Sequence, residues 1–261
     1  MAFDLTTISR AKRDRAPRII LSGVQKIGKS TFAAGAPNPI FIPIAREEGI
    51  DALDVDAFPV AKTFADVVGA LASLYTDEHE YQTIVIDSLT ALEPLVWAET
   101  CARNGDAGSI EKVNGGFNKG YIEALSVWRE YLEPLDAIRN AKNMISLQVC
   151  HVKVKAFNDP TADSYDQYQI DLHPLASAMF ARWADCILFA GHKTAVKSED
   201  VGFNKRKKRA VSTNGNAPVL FTQARPAHPG GGRGVYGSLP YELPLEWQAF
   251  ETAVAQAVEP A

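Results

Sequence analysis

The segment Arg18 to Thr31 reads RIILSGVQKIGKST, a short apolar run, then Gly23-x-x-x-x-Gly28-Lys29-Ser30, then a helix-like continuation. Residues of these types at this spacing can do phosphate chemistry. Such a loop curls round an anion with its backbone N–H groups pointing inward, at the start of a helix whose dipole also favours negative charge. Gly23 and Gly28 allow the close backbone approach, and Val24, Gln25, Lys26, Ile27 and Thr31 complete the cradle. Lys29 is placed to reach the β- and γ-phosphates of a nucleotide and to act there catalytically, and Ser30 to set its hydroxyl on Mg2+. The cofactors expected from this loop are ATP and Mg2+.

A magnesium site of this kind needs an acidic partner at the end of a neighbouring buried strand. Ile84, Val85, Ile86 and Asp87 supply it, so Asp87 is paired with Ser30 as the metal-holding residues, although a strand ending in Asp also suits a plain helix cap. Hydrolysis further needs a group that orients or deprotonates water. Glu47 follows the apolar strand FIPIA, which brings it to the carboxyl end of a sheet, where ligands of open α/β folds bind. Glu48 is a close rival, and the bland alternative is that both are exposed loop carboxylates. Gln148 and His151, near the end of NMISLQVCH, are candidate γ-phosphate sensors. The other histidines show no metal-ligand spacing, and no Ser-His-Asp or Cys-His nucleophile arrangement is legible.

These residues must be positioned by apolar runs that alternate with longer helical patterns, the signature of an α/β fold with a mainly parallel central sheet flanked by helices. Strands are expected at Arg18 to Ser22, Pro39 to Ile44, Thr83 to Asp87, Asn143 to His151 and Asp185 to Ala190. Val67, Val68, Leu71 and Leu74 share one helical face, as do Leu92, Leu95 and Val96, and Leu125, Trp128, Leu132 and Leu135. Two stretches resist the pattern and read as long loops: Arg103 to Gly120, rich in Gly and Asn, and Val152 to Tyr168. Beyond Thr194 come a polar basic segment, a short strand pair from Ala210 to Thr222, the Gly-rich HPGGGRG and a C-terminal helix from about Pro244.

A chain of 261 residues suits one large α/β domain. No apolar stretch approaches the ~20 residues of a membrane helix, and the N-terminus has no secretory pattern, so a soluble cytoplasmic protein with no membrane partner is expected. Cys101, Cys150 and Cys186 are odd in number and widely spaced, which suits reduced thiols acting as small buried hydrophobes. The net charge of −4 excludes a generally basic nucleic-acid protein. Its distribution is uneven, with KRKKR at Lys205 to Arg209 and Arg10, Lys12, Arg13, Arg15 and Arg18 near the start. Either segment can meet a phosphate backbone or stay solvated.

With these residues placed, the chain resembles the RecA-like P-loop NTPase core, and more closely the short phage ATP-binding, single-strand annealing proteins of the Sak-four type. The motifs that carry the likeness are GVQKIGKST, PIFIPIAREEG, YQTIVIDSLTAL, ISLQVCHVK and RWADCILFAG, over about Pro17 to Pro244. The resemblance implies a basic arm at 1–16, a RecA-like ATPase core at 17–243 and a C-terminal helix or tail at 244–261. It implies ATP bound between subunits of a ring or filament, with basic residues of one subunit reaching the next one's γ-phosphate. Arg225 and Arg233, after VLFTQA, lie where the family has its Lys or Arg pair, although ARPAHPGGGRG is longer than the usual pattern.

The same likeness makes the two long loops DNA-facing. Lys119, Lys153 and Lys155 can meet phosphates, while Phe117, Phe157, Tyr165 and Tyr168 can stack on bases or tuck the loops onto the core. The implied activity is DNA-stimulated ATP hydrolysis by a phage-type recombination or replication protein that binds single-stranded DNA as an oligomer. Phage replication or recombination proteins are the implied further partners, in a phage-infected bacterial host. A nucleotide-gated assembly or helicase-loading factor, or a small-molecule P-loop kinase, would carry the same loop, although no Arg-rich lid for a kinase is legible.

Overall fold

The apolar runs become buried strands because each alternates its side chains between two helical layers. The computed structural model describes residue 4 and residues 15–45, 49–159, 163–200, 206–212 and 217–258. Its first half contains β1 (Arg18–Gly23), α1 (Lys29–Ala34), β2 (Pro39–Pro43), β3 (Asp56–Ala57), α2 (Phe64–Thr76), β4 (Thr83–Asp87), α3 (Leu89–Arg103) and α4 (Lys119–Lys142). Then follow β5 (Ile145–Cys150), β6 (Val152–Phe157), β7 (Tyr165–Ile170), α5 (Pro174–Trp183), β8 (Cys186–His192), β9 (Thr194–Asp200) and β10 (Arg206–Ser212). The chain continues through β11 (Pro218–Phe221), β12 (Gly231–Gly232), β13 (Glu242–Pro244) and α6 (Trp247–Val258).

The central sheet runs β13-β11-β8-β1-β5-β4-β2-β3, with β12 added to β8. From β8 to β3 every pairing is parallel, whereas β11, β12 and β13 are antiparallel additions at one side. Ile20, Ile40, Ile42, Ile84 and Ile86 face a core shared with α2, α3, α4 and α5. The alternate residues Ile19, Leu21, Phe41, Val85, Leu147 and Val149 face a second core with α1 and α6. This is the expected α/β fold, a mainly parallel sheet flanked by helices. Trp128 belongs to the first core, edge-on to Phe180 at 5.0 Å.

β1 lies in the middle, between β8 and β5. The Asp87 strand, β4, is not its neighbour, because β5 is inserted between them. Helix starts follow local chemistry: Ser88 Oγ accepts the Ala91 N–H at 3.1 Å, and Thr63 with Asp66 forms a reciprocal capping box. At the amino ends of the strands, Asp185 binds Arg18 at 2.9 Å and Arg139 at 3.0 Å, tying β1 and α4 to the start of β8.

Two expectations are corrected. Val152 to Tyr168 is not a loop but holds β6 and most of β7, an antiparallel ribbon in which Val152 pairs with Ile170 and Phe157 with Tyr165. Its Val-Lys-Val-Lys alternation is a strand pattern, and one face is anchored where Tyr168 packs 5.3 Å from Phe189. The strand pair expected from Ala210 to Thr222 is divided. β10 pairs with β9 in a separate ribbon, while β11 joins the central sheet, where Val219, Leu220 and Phe221 find the burial they need.

Candidate nucleotide-binding site

The loop after β1 turns at Lys26, with φ +59°, and at Gly28, with φ +107°, before α1 begins at Lys29. Gly28 takes the left-handed conformation that a side chain would strain. Gly23 is required for a different reason: a Cβ there would lie 2.4 Å from the Ala190 carbonyl oxygen of β8. α1 is short, so packing holds it. Phe32 is wedged against Trp247 and Phe250 of α6, and Leu245, just before that helix, lies 3.6 Å from where a Gly28 Cβ would stand.

A cleft of about 820 Å3 opens over this loop, lined by Gln25, Lys26, Gly28, Lys29, Ser30, Thr31, Gly49, Asp87, Thr90, His151, Val152 and Asp171. Lys29 is nearly buried, and its ammonium donates to the carbonyls of Gly23 at 3.1 Å and Val24 at 2.8 Å. Ser30 Oγ donates to Asp87 Oδ2 at 2.6 Å. A hydroxyl and a carboxylate in contact beside a phosphate loop form an oxygen donor set suited to Mg2+, which completes its shell with water and phosphate oxygens. These residues fit ATP and Mg2+.

The other expected residues divide. His151 lines the cleft, and its N–H donates to Thr90 Oγ1 at 3.0 Å. Gln148 does not. It is buried in the first core, accepting from Tyr131 Oη at 2.5 Å and donating to Ser146 Oγ at 2.9 Å. Glu47 and Glu48 lie outside the described residues, as does Lys205 of the basic run, while Gly49 beside them reaches the cleft.

Arg225 sits on an exposed reverse turn closed by two 3.1 Å hydrogen bonds with His228, its guanidinium 4.1 Å from the centre of the Tyr241 ring. Burial holds the His228 imidazole below its ordinary pKa, and the ring stacks 4.6 Å from Phe189 as an uncharged anchor for the turn. Arg233 points elsewhere, bonding to the Arg182 carbonyl and approaching Asp185 at 3.9 Å near the amino end of β8.

Phe117 is 92% exposed on a turn with φ +55°, and Lys119 Nζ donates back to the Asn114 carbonyl at 3.3 Å. Register places Lys153, Lys155 and Phe157 on one ribbon face with Gln169, Gln167 and Tyr165 opposite them. Lys153 is also paired to Asp171 at 2.7 Å.

Thr90, Asp171 and Glu93 were not anticipated. Asp171 follows the strand YDQYQI, and an acidic residue at a strand end is the signal that marked Asp87. Thr90 looks like an ordinary first-turn residue. Glu93, one turn later, is buried and accepts the His173 N–H through both oxygens, at 2.8 and 3.0 Å. Burial raises its carboxyl to about 7. Cys150 and Cys186 are buried, and burial pushes both thiols up, Cys186 to about 12, as suits inert core residues.

A buried strand, a phosphate loop with Lys29 and Ser30, and Asp87 brought to Ser30 from a strand further along define a P-loop nucleotide-binding ATPase. A family model described as an AAA domain matches residues 15–233, and the chain belongs to that family. No curated protein matches it. Members of this family generally use ATP and Mg2+. Among the described residues, no helix is long and apolar enough to cross a membrane.

Proposed function

We propose that this ATPase binds single-stranded DNA as an oligomer and hydrolyses ATP in phage-type recombination or replication, as an annealing protein or recombination mediator of the Sak-four type. The observation that supports it is the ribbon of β6 and β7. It leaves the sheet directly beyond β5, beside the nucleotide cleft, and one face carries Lys155, Phe157, Tyr165, Gln167 and Gln169. Cations for phosphates, rings for bases and amides for base edges are the chemistry of a single-strand contact. Phe117, just before α4, and Lys119, its first residue, are assigned to the same DNA contact.

Within the cleft, the backbone N–H groups of residues 24–29 cradle the phosphates and Lys29 neutralises their charge. Ser30 and Asp87 hold Mg2+, which supplies Lewis-acid stabilisation of the transferred phosphoryl group. His151 reads the γ-phosphate, and Glu47, with Glu48 as rival, orients the attacking water. Both arginines are exposed, and Arg225, on a turn closed by hydrogen bonds with His228, is assigned to reach a neighbouring subunit, whereas Arg233 is engaged near the amino end of β8.

The test is phosphate release from ATP with and without oligo-dT at low salt, where phosphate contacts are least screened. Stimulation that Lys29→Ala abolishes is the expected result. A rate indifferent to DNA, with no oligo-dT binding in the presence of ATP, would overturn the reading.

A further inference from the structure

Lys153 and Lys155 stand two residues apart on the same ribbon face, yet the fold treats them differently. Lys155 is exposed. Lys153 Nζ lies 2.7 Å from Asp171 Oδ1 and donates to the Leu172 carbonyl at 3.1 Å. Asp171 is itself a wall of the nucleotide cleft, with Lys29, Thr90 and His151. Asp171 directly follows β7, so the ion pair sits at the base of the ribbon, where the ribbon meets the cleft.

One end of this pair is fixed. The Asp171 N–H donates to the His151 carbonyl at 2.9 Å and the Leu172 N–H to Ile170 at 2.9 Å. The next residue, His173, is held by Glu93, and its ring stacks on Tyr121 at 4.1 Å with only 3° between planes. Glu93 belongs to α3, the helix that also presents Thr90 to the cleft. At the other end Lys153 is half-buried opposite Gln169, and the β6 residues beyond it, Val154, Lys155 and Ala156, are exposed. Opening the pair frees the Lys153 side chain towards the exposed ribbon face, while the ladder that pairs Lys153 with Gln169 keeps Asp171 in the cleft wall.

We propose that Lys153 is a positioning residue, latching the ribbon to Asp171 so that nucleotide in the cleft and nucleic acid on the ribbon sense each other, rather than a phosphate contact. This rests on the reading that the ribbon binds single-stranded DNA. A triphosphate brings several negative charges to a cleft whose wall already carries Asp171, which is costly unless Lys153 stays paired to it. Nucleotide thus favours the latched ribbon. By reciprocity, nucleic acid that holds the ribbon latched tightens nucleotide by the same factor.

The experiment compares the full-length wild type with Lys153→Gln and Lys155→Gln. Oligo-dT affinity is measured over a salt series, with and without a non-hydrolysable ATP analogue, alongside ATP turnover at saturating oligo-dT. Lys155→Gln should weaken oligo-dT binding several-fold and lower the salt slope by about 0.7, while the analogue still tightens binding. Lys153→Gln without analogue should keep its affinity within about two-fold of wild type. It should lose the tightening by analogue and the stimulation by DNA, and Lys153→Arg should restore both. If Lys153→Gln does not fold, Lys153→Met carries the same comparison. A Lys153→Gln protein that loses affinity and salt slope as Lys155→Gln does, yet keeps its response to the analogue, overturns the latch alone. A wild type that does not bind oligo-dT overturns the DNA reading and the latch with it.

Discussion

Ser30 and Asp87 touch at 2.6 Å although β1, which leads into the Ser30 loop, and β4, which ends at Asp87, are not neighbours. β5 separates β1 from β4, and the contact closes only because α1 starts at Lys29 and carries Ser30 over the end of β5. The pair is the point at which the phosphate loop and the rest of the sheet become one site. Asp87→Asn should retain the fold and lose Mg2+-dependent turnover by about a hundred-fold or more, which is about 2.7 kcal/mol of transition-state stabilisation. Ser30→Ala should shift the Mg2+ requirement upward. A magnesium titration of phosphate release checks both, and normal turnover in Asp87→Asn would place the metal elsewhere.

Gly23 is the residue at which β1 must pass close to β8. Gly23→Ala puts a methyl group 2.4 Å from the Ala190 carbonyl oxygen, against backbone that has no flexible side chain to yield. The expected loss is about 1–3 kcal/mol, from overpacking where the strand becomes the phosphate loop. Urea denaturation with and without ATP reads it, and an unchanged midpoint would refute the close approach.

Glu93 makes stability depend on pH. Its carboxyl is held at about 7 by burial, above the ordinary value of 4.5, so the folded protein keeps a proton that the unfolded chain releases. Its contribution is full below about pH 4.5 and is lost as pH rises towards 7, on the order of 3 kcal/mol in all. Lys153 opposes this shift and Asp171 adds to it, while burial lowers the pKa of the adjoining His173 imidazole, an effect that destabilises towards acid. Glu93→Gln should flatten the fall in Tm between pH 5 and pH 8 relative to wild type. Parallel thermal melts of the two proteins decide it, and identical slopes would refute the buried acid.

Trp247 has a buried indole N–H with no hydrogen-bond partner among the described residues, while its ring packs 5.4 Å from Phe32. Its value lies in volume. Trp247→Phe removes the unsatisfied donor, worth about 1–3 kcal/mol, and offsets part of the lost packing, so stability should change little. Trp247→Ala should cost about 3–5 kcal/mol and raise the KM for ATP, because α1 loses the surface that holds it. Chemical denaturation and steady-state ATPase assays at 15 °C separate the two effects. A Trp247→Ala protein with unchanged KM would show that α1 does not need α6.

What could be read from the chain alone was chemistry whose partners lie within a few residues. The loop GVQKIGKST, the strand TIVID and the alternating apolar runs each state their role locally, through a turn, a cap or a period, and they suffice for an α/β nucleotide-binding ATPase. What only the tertiary structure decided were the pairings across distance. Gln148 lies on β5 and His151 just beyond its end, three residues apart, yet only the placement of α4 over Gln148 shows which of them meets the cleft. Lys153 and Lys155 look alike in sequence because Asp171 reaches the first of them only once the ribbon has folded back. Arg225 and Arg233 differ for the same reason, since one meets the Tyr241 ring and the other Asp185. Local residue types set what each group can do, and burial and long-range contact set which groups are free to do it.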